Sequence, residues 1–270
     1  MIFYFSGSGN SLYVAQWLGD ALDEPLLAVA EERKKKHIRY YPAVGERVIF
    51  VMPVYFFGLP AIIDDFVRRM EFYGEQIIPV YVILTCGDSS GDAGGKFKRL
   101  LRRQDSCQLM GVYALKMPDN YILGYTLAKP EKQQKILVQA EQRLPLIKEA
   151  ILTGKQSAEI TRRGIFPRLL TLTAYRIYVR GRHTKKFYVN ENCTGCGLCA
   201  QICPIGAIEM ENGKPRWIKN RCNHCLACLH RCPKQASQYV KSTAKRGRYT
   251  HPQADFSLSA SLSEKDSADS

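Results

Sequence analysis

Apolar and polar positions change period several times along this chain, and each change predicts an element. Residues 1–5 are apolar almost throughout, the pattern of a short strand buried on both faces. After a small polar stretch, Leu12, Val14, Ala15, Trp17, Leu18, Ala21 and Leu22 recur at helical spacing. Residues 25–30 predict a second strand, and the charged run 31–36 a solvated loop. A buried strand follows over 47–52, a helix over 61–70, an apolar strand over 77–84, a helix over 95–103 and a last strand over 108–115. Ile136, Leu137, Ala140, Leu144, Ile147 and Ile151 then predict one long helix over 130–152. Strands alternating with helices in this way predict an α/β fold with a doubly wound parallel sheet, order 2-1-3-4-5.

The pattern changes character beyond this first unit of residues 1–153. Residues 154–190 hold nine Lys or Arg against one acid, Glu159, whereas the first 153 residues hold 19 basic and 17 acidic groups. The net charge of +14 is therefore concentrated in a connection. Ile165, Phe166, Leu169, Leu170, Leu172, Tyr175, Ile177, Tyr178 and Val179 lie among its arginines. Such a segment (154–184) predicts a linker helix packing one unit against the next, ahead of a membrane-surface helix or a nucleic-acid arm. Residues 185–241 form a second compact unit, and 242–270, rich in Ser, Ala and Asp, are expected to be a disordered tail.

The second unit carries the most specific signal. Cys193, Cys196, Cys199 and Cys203 precede Pro204, and Cys222, Cys225, Cys228 and Cys232 precede Pro233, so one C-x2-C-x2-C-x3-C-P run repeats the other. That is the spacing of bacterial iron–sulfur ligation. Thiolates two residues apart wrap a cube only if the backbone curls tightly, which Gly195 and Gly197 permit. Zinc competes for paired cysteines, but it needs only four ligands per site and no proline after the last. The segment resembles two-cluster bacterial ferredoxins, an α+β fold. The resemblance implies one [4Fe-4S] cluster on Cys193, Cys196, Cys199 and Cys232, and a second on Cys222, Cys225, Cys228 and Cys203. His224 and His230 are expected at the surface or behind the ligands, not on iron.

The loop between the first strand and helix reads Ser6, Gly7, Ser8, Gly9, Asn10, Ser11. Small residues let backbone N–H groups wrap an anion at a helix start. A Walker loop would need a lysine, and a dinucleotide fingerprint a small residue where Leu12 stands. The loop instead resembles the FMN-phosphate loop of flavodoxins, with Ser8 for the usual threonine, and so implies a flavodoxin-like domain that binds FMN. Pro53, Tyr55, Phe56, Phe57 and Gly58 follow one strand end, and Thr85, Cys86, Gly87 and Asp88 another; ligands bind outside such ends in this strand order. Tyr55 and Phe56 would wall the ring, and the Gly58 and Gly87 regions would supply backbone donors. Residues 117–122 fall near the same crevice, to close over the ring, to face the clusters or to serve as a structural turn.

As a whole, the chain resembles iron–sulfur flavoproteins in which a flavodoxin-like domain is fused to a two-cluster ferredoxin. The resemblance implies electron transfer between two [4Fe-4S] clusters and FMN, to or from a redox partner protein or a small acceptor, anionic ones included. No acid, base or nucleophile constellation stands out, so no catalytic residue is assigned and oxidoreductase and carrier both stay open. A rival is a redox-sensing or nucleic-acid-binding protein with structural clusters; nucleic acid is the disfavoured partner. No apolar run reaches membrane-spanning length, peripheral membrane contact stays open, and metal-type cysteines without a secretion signal lead us to expect a cytoplasmic protein.

Overall fold

Neighbouring residues of a strand face opposite ways, and the N-terminal unit uses both faces of its sheet. The computed structural model describes residues 1–74, 76–154, 164 and 166–257. Its first elements are β1 (Ile2–Tyr4), α1 (Asn10–Leu22), β2 (Leu26–Ala28), α2 (Val29–Glu32), β3 (Ile38–Tyr40), β4 (Val48–Pro53) and α3 (Ala61–Arg69). Then come β5 (Met70–Phe72), β6 (Ile78–Cys86), α4 (Ala93–Leu101), β7 (Cys107–Lys116), α5 (Pro130–Glu141) and α6 (Leu144–Thr153). Five strands form one parallel sheet in the order β2-β1-β4-β6-β7. Numbered among themselves they run 2-1-3-4-5, the expected flavodoxin-like order. Phe3, Phe50 and Val82 point to one side, where α3 and α4 bring Phe66 and Phe97. Ile2, Ile49 and Ile83 point to the other, against Leu18 of α1 and Ile147 of α6. Fully burying such side chains stabilises the fold by roughly 1.5–3 kcal/mol each, and the two layers fix the strand ends relative to one another.

Local details depart from the expected pattern. The predicted helix over 130–152 is two helices, because Pro145 sits in the first turn of α6. Its ring would clash with the carbonyl four residues back, so α5 stops at Glu141. The expected loop over 31–36 begins inside α2, where Lys35 pairs with Glu32 at 3.0 Å. A small parallel pair, β3 with β5, joins Ile38 to Met70 and Tyr40 to Phe72; three-residue strands leave too little alternation to read in advance.

The remaining elements are α7 (Pro167–Gly181), β8 (Tyr188–Val189), α8 (Leu198–Gln201), β9 (Ile208–Glu211), β10 (Lys214–Trp217), α9 (Ala227–His230) and β11 (Ser237–Gln238). β8 pairs with β11, which closes the second unit end to end. β9 and β10 form a hairpin whose two loop residues, Asn212 and Gly213, both have positive φ, 50° and 73°. Asn-Gly favours that turn.

The expected disordered tail is corrected over its first part. Lys241–Lys245 form a 3-10 turn, and the chain then returns along the first unit. Arg246 donates to the carbonyls of Ile122 at 2.8 Å and Leu123 at 2.6 Å. The Tyr249 hydroxyl donates to Asn10 Oδ1 at 2.7 Å, and the His251 N–H to the Ser8 carbonyl at 2.8 Å. The His251 ring stacks on Tyr13 at 4.1 Å. Composition misled here because these few anchoring side chains are diluted among polar neighbours. The rest of the expected tail, 258–270, and the basic stretch 155–163 with Ile165 lie outside the described residues, as does the side chain of Leu170.

Candidate functional site

A cavity of about 320 Å³ opens at the carboxyl ends of β1, β4 and β6, within the ~300–1,000 Å³ range of small-molecule sites. Of the residues expected there, Ser6, Gly7, Ser8, Asn10, Ser11, Pro53, Tyr55, Phe56, Phe57, Thr85, Cys86, Gly87 and Asp88 line it. Gly9 and Gly58 do not. Gly9 caps α1 at φ 103° and lies against Ala254, His251 and Phe256 of the returning chain. Gly58 closes a turn with Tyr55 through bonds of 2.9 and 3.0 Å, where a Cβ would strike the Tyr175 ring. Residues 117–122 join the wall through Met117, Pro118, Asp119, Asn120 and Tyr121.

The glycine-rich loop is held from several directions. Gly9 donates to Ser6 Oγ at 3.0 Å, Ser11 and Thr85 hydroxyls bond at 2.8 Å, and Asn10 Nδ2 donates to the Pro118 carbonyl at 2.9 Å. Asn120 Nδ2 donates to Ser8 Oγ. Behind that contact, His230 Nε2 meets the Asn120 carbonyl at 2.8 Å. The first-turn N–H groups of α1 have no carbonyl of their own helix to bond, which gives the loop the donors an anion needs.

The aromatic wall is strained and buttressed. Phe56 and Phe57 both sit at positive φ, 50° and 61°, a conformation that costs an L-residue roughly 1–2 kcal/mol. α7 holds this turn in place. Thr171 Oγ1 donates to the Phe57 carbonyl at 2.8 Å, and the Tyr175 hydroxyl to the Leu59 carbonyl at 2.9 Å. Phe56 stacks near Tyr178 at 5.8 Å and meets Tyr121 edge-on at 5.1 Å. Burial pushes the Tyr55 and Tyr178 phenols up and that of Tyr121 to about 12, so all three stay neutral donors. Tyr178, missed as a site residue because it sits in the basic connection, lines the cavity and donates to the Asn223 carbonyl at 3.1 Å.

That bond leads into the second cysteine run. His224, Cys225 and Leu226 line the large cavity and also a smaller one lined by Cys203, Cys222, Cys225 and Cys228. The wall between the two is therefore this tripeptide. Gly7 presses on it so closely that a Cβ there would collide with the Cys225 carbonyl. A third cavity is lined by Cys193, Cys196, Cys199 and Cys232. The cysteines fall into the two expected quartets, each taking its last member from the other run. The repeat is visible in atomic detail: the N–H of Ala207 donates to Cys203 Sγ at 3.2 Å, and that of Ala236 to Cys232 Sγ at 3.3 Å.

The two quartets differ in surroundings. As free thiols, Cys225 is pushed up to about 12 and Cys222 to about 11, in each case chiefly by burial. Holding them as thiolates requires a compensating positive core, which bound iron supplies. Cys196 of the other quartet is exposed. Among the described residues no three His, Cys, Asp or Glu stand close enough to hold a single metal ion. Of the two positions expected for the histidines, the surface and behind the ligands, burial excludes the first: His224 and His230 are both buried, and His224 Nε2 meets the His183 carbonyl at 3.2 Å. In the second run His224 (φ 50°) and Leu226 (φ 57°) keep the left-handed backbone that Gly195 (φ 72°) and Gly197 (φ 75°) adopt in the first.

Residues 192–237 match the 4Fe-4S dicluster domain family. Over 63 residues the chain is 36% identical to a ferredoxin of Pyrobaculum islandicum, covering 21% of this chain and 59% of that protein. It is 42% identical over 53 residues to pyruvate synthase subunit PorD of Methanocaldococcus jannaschii, covering 19% of this chain and 62% of that one. The chain thus spans about three fifths of the length of these two curated relatives. Among solved structures, the Trp repressor binding protein from Bacillus subtilis aligns with TM-score 0.35 and 14% identity, over 58% of this chain and 99% of that one. The C-terminal unit is a ferredoxin-type 4Fe-4S domain.

Proposed function

We propose that this chain is an iron–sulfur flavoprotein: two [4Fe-4S] clusters on the two cysteine quartets and FMN in the 320 Å³ cavity. The observation that carries this reading is the shared wall, in which the phosphate-type loop and the Cys222–Cys228 quartet meet through Gly7 and Cys225. Clusters exchange single electrons whereas FMN exchanges one or two, so the pair would interconvert these two kinds of traffic.

The protein's own part is positional. Ser6 to Ser11 would bind the phosphate through hydroxyls and the α1 N-terminus. Tyr55, Phe56 and Tyr121 would bracket the ring, and Thr85 to Asp88 would face its polar edge. Tyr178 and the His224–Leu226 tripeptide fix how close the ring comes to the nearer quartet, while dry aromatic walls keep water away. Electrons would pass to or from a protein partner or a small acceptor. Eight cysteines spaced for metal rather than paired as disulfides suit a reducing cytoplasm. A rival in which the clusters are purely structural gives the cavity no purpose.

Anaerobic purification followed by iron, sulfide and flavin analysis tests this. The expected yield is about eight iron, about eight sulfide and about one FMN per chain, with a visible spectrum that dithionite bleaches. A colourless, zinc-loaded, flavin-free preparation refutes it.

A further inference from the structure

The inward face of α7 is fully used by Thr171, Tyr175 and Tyr178, which hold the cavity wall. Among the described residues, most of its outward face is not. Phe166 is 73% exposed, Leu169 60%, Leu172 58%, Ile177 65% and Val179 36%. Arg168, Arg176 and Arg180 stand exposed between them, and no acid occurs from Ile160 to Asn190. Four apolar side chains on the outward half of a single helix, with Phe166 just ahead of it, exceed the scattered exposure of an ordinary surface.

Charge and shape together select the occupant. A face that mixes aliphatic side chains with positive charge alone complements an anionic bilayer, where guanidinium groups reach phosphates and their apolar neighbours lie beneath. The face is also the convex back of a helix about 22 Å long. A soft interface accommodates such a ridge without the matching groove that a rigid protein partner would have to provide. We propose that the outward face of α7 docks the protein peripherally on an anionic lipid surface, with Leu169, Leu172 and Ile177 between headgroups and Arg168, Arg176 and Arg180 on phosphates. This docking is independent of what fills the cavity. It would hold that cavity about one helix diameter from the lipid, since Tyr178 of the same helix lines it.

Sedimentation of the full-length protein with vesicles tests the proposal. Phosphatidylcholine alone is compared with an equal mixture of phosphatidylcholine and phosphatidylglycerol, at low and high salt. The protein is expected to pellet with the anionic vesicles only, less so as salt rises. Replacing all three arginines (Arg168→Gln, Arg176→Gln, Arg180→Gln) lowers the partition coefficient about a hundredfold. Leu169→Gln with Leu172→Gln lowers it roughly tenfold or more, with circular dichroism unchanged. Absence of wild-type binding to anionic vesicles overturns the proposal and leaves the face to an acidic protein. Equal binding to both vesicle types, or binding untouched by the leucine substitutions in a folded variant, overturns it as well.

Discussion

Tyr249→Phe isolates the bond that fastens the returning C-terminal strap to the glycine-rich loop. The Tyr249 hydroxyl donates to Asn10 Oδ1 at 2.7 Å, and the two residues are 5% and 7% exposed. The substitution keeps the ring, so packing is conserved, but it leaves Asn10 Oδ1 buried without this donor. Such an orphaned acceptor costs about 1–3 kcal/mol. The strap from Arg246 to Phe256 is otherwise held by a few bonds, among them His251 N–H to Ser8 and the reciprocal pair of Gln16 with Asp255. Its opening is therefore local, and the cost appears in local exchange. Amide hydrogen exchange read by mass spectrometry on peptides covering 246–257 and 6–11 should show protection reduced roughly 5- to 150-fold in both. The coupled loss is the informative result, because Asn10 also donates to Pro118 in the cavity wall. Unchanged exchange in both peptides, or faster exchange in the strap alone, refutes the claim that the strap holds the loop.

Three other predictions test separate parts. Gly7→Ala places a Cβ against the Cys225 carbonyl and should lower stability by about 1–3 kcal/mol, read as a lower melting temperature of the holo-protein; an unchanged melting temperature means that the two units do not press together there. Cys203→Ser and Cys225→Ser should remove the same paramagnetic signal on reduction, and Cys232→Ser and Cys193→Ser the other, with different midpoints for the surviving clusters; loss patterns that follow the linear runs would contradict the crossed quartets. Burial pushes His251 down from 6.5 to about 4. A histidine kept neutral in the fold gains protons first in the unfolded chain, so strap stability should be complete above about pH 6.5 and fall as pH drops toward 4. Strap exchange, corrected for its intrinsic pH dependence, should accelerate across that window in the wild type and less in His251→Gln, where buried His230, which accepts from Tyr249 N–H, still gains a proton.

What could be read from the sequence was what local spacing encodes. Strand order followed from alternating periods, and the quartets from two runs of cysteines. Pro145, which cannot sit inside a helix, and Asn212-Gly213, which favours a hairpin turn, also carry local signals, although the apolar period over 130–152 by itself predicts a single helix. Tyr178, Tyr249 and His251 left no such trace. Each acts through a partner far away in sequence (Tyr178 on Ala61 and Asn223, Tyr249 on Asn10, His251 on Ser8), and long-range pairs impose no period on their neighbours. The inner and outer faces of α7 were equally hidden. Its apolar and basic residues suited a linker or a membrane helix, and only the packing showed one face committed to the cavity wall and the other left outside.

The distribution of backbone strain favours the cavity as the working site. Eight described residues other than glycine have positive φ. Asp23 and Asn212 are types that end helices or turn hairpins, Gln235 repeats the turn that Gly206 makes after the first cysteine run, and Phe166 precedes α7. The remaining four, Phe56, Phe57, His224 and Leu226, all line the one large cavity. Two come from the first unit; the two from the second stand where the first cysteine run has Gly195 and Gly197, so the turn of the run sets their backbone and the bulky side chains are what differs. A bulky residue in that conformation persists only where its surroundings over-determine it, and here they do: α7 clamps the phenylalanines, while Leu226 is packed with Ile122 and Leu229. Glycine would relieve the backbone at each position, yet it would take away the very side chains that wall the cavity. The strain is thus best understood as the cost of placing four large side chains between a phosphate-type loop and a cysteine quartet, where separation and dryness govern how readily an electron crosses.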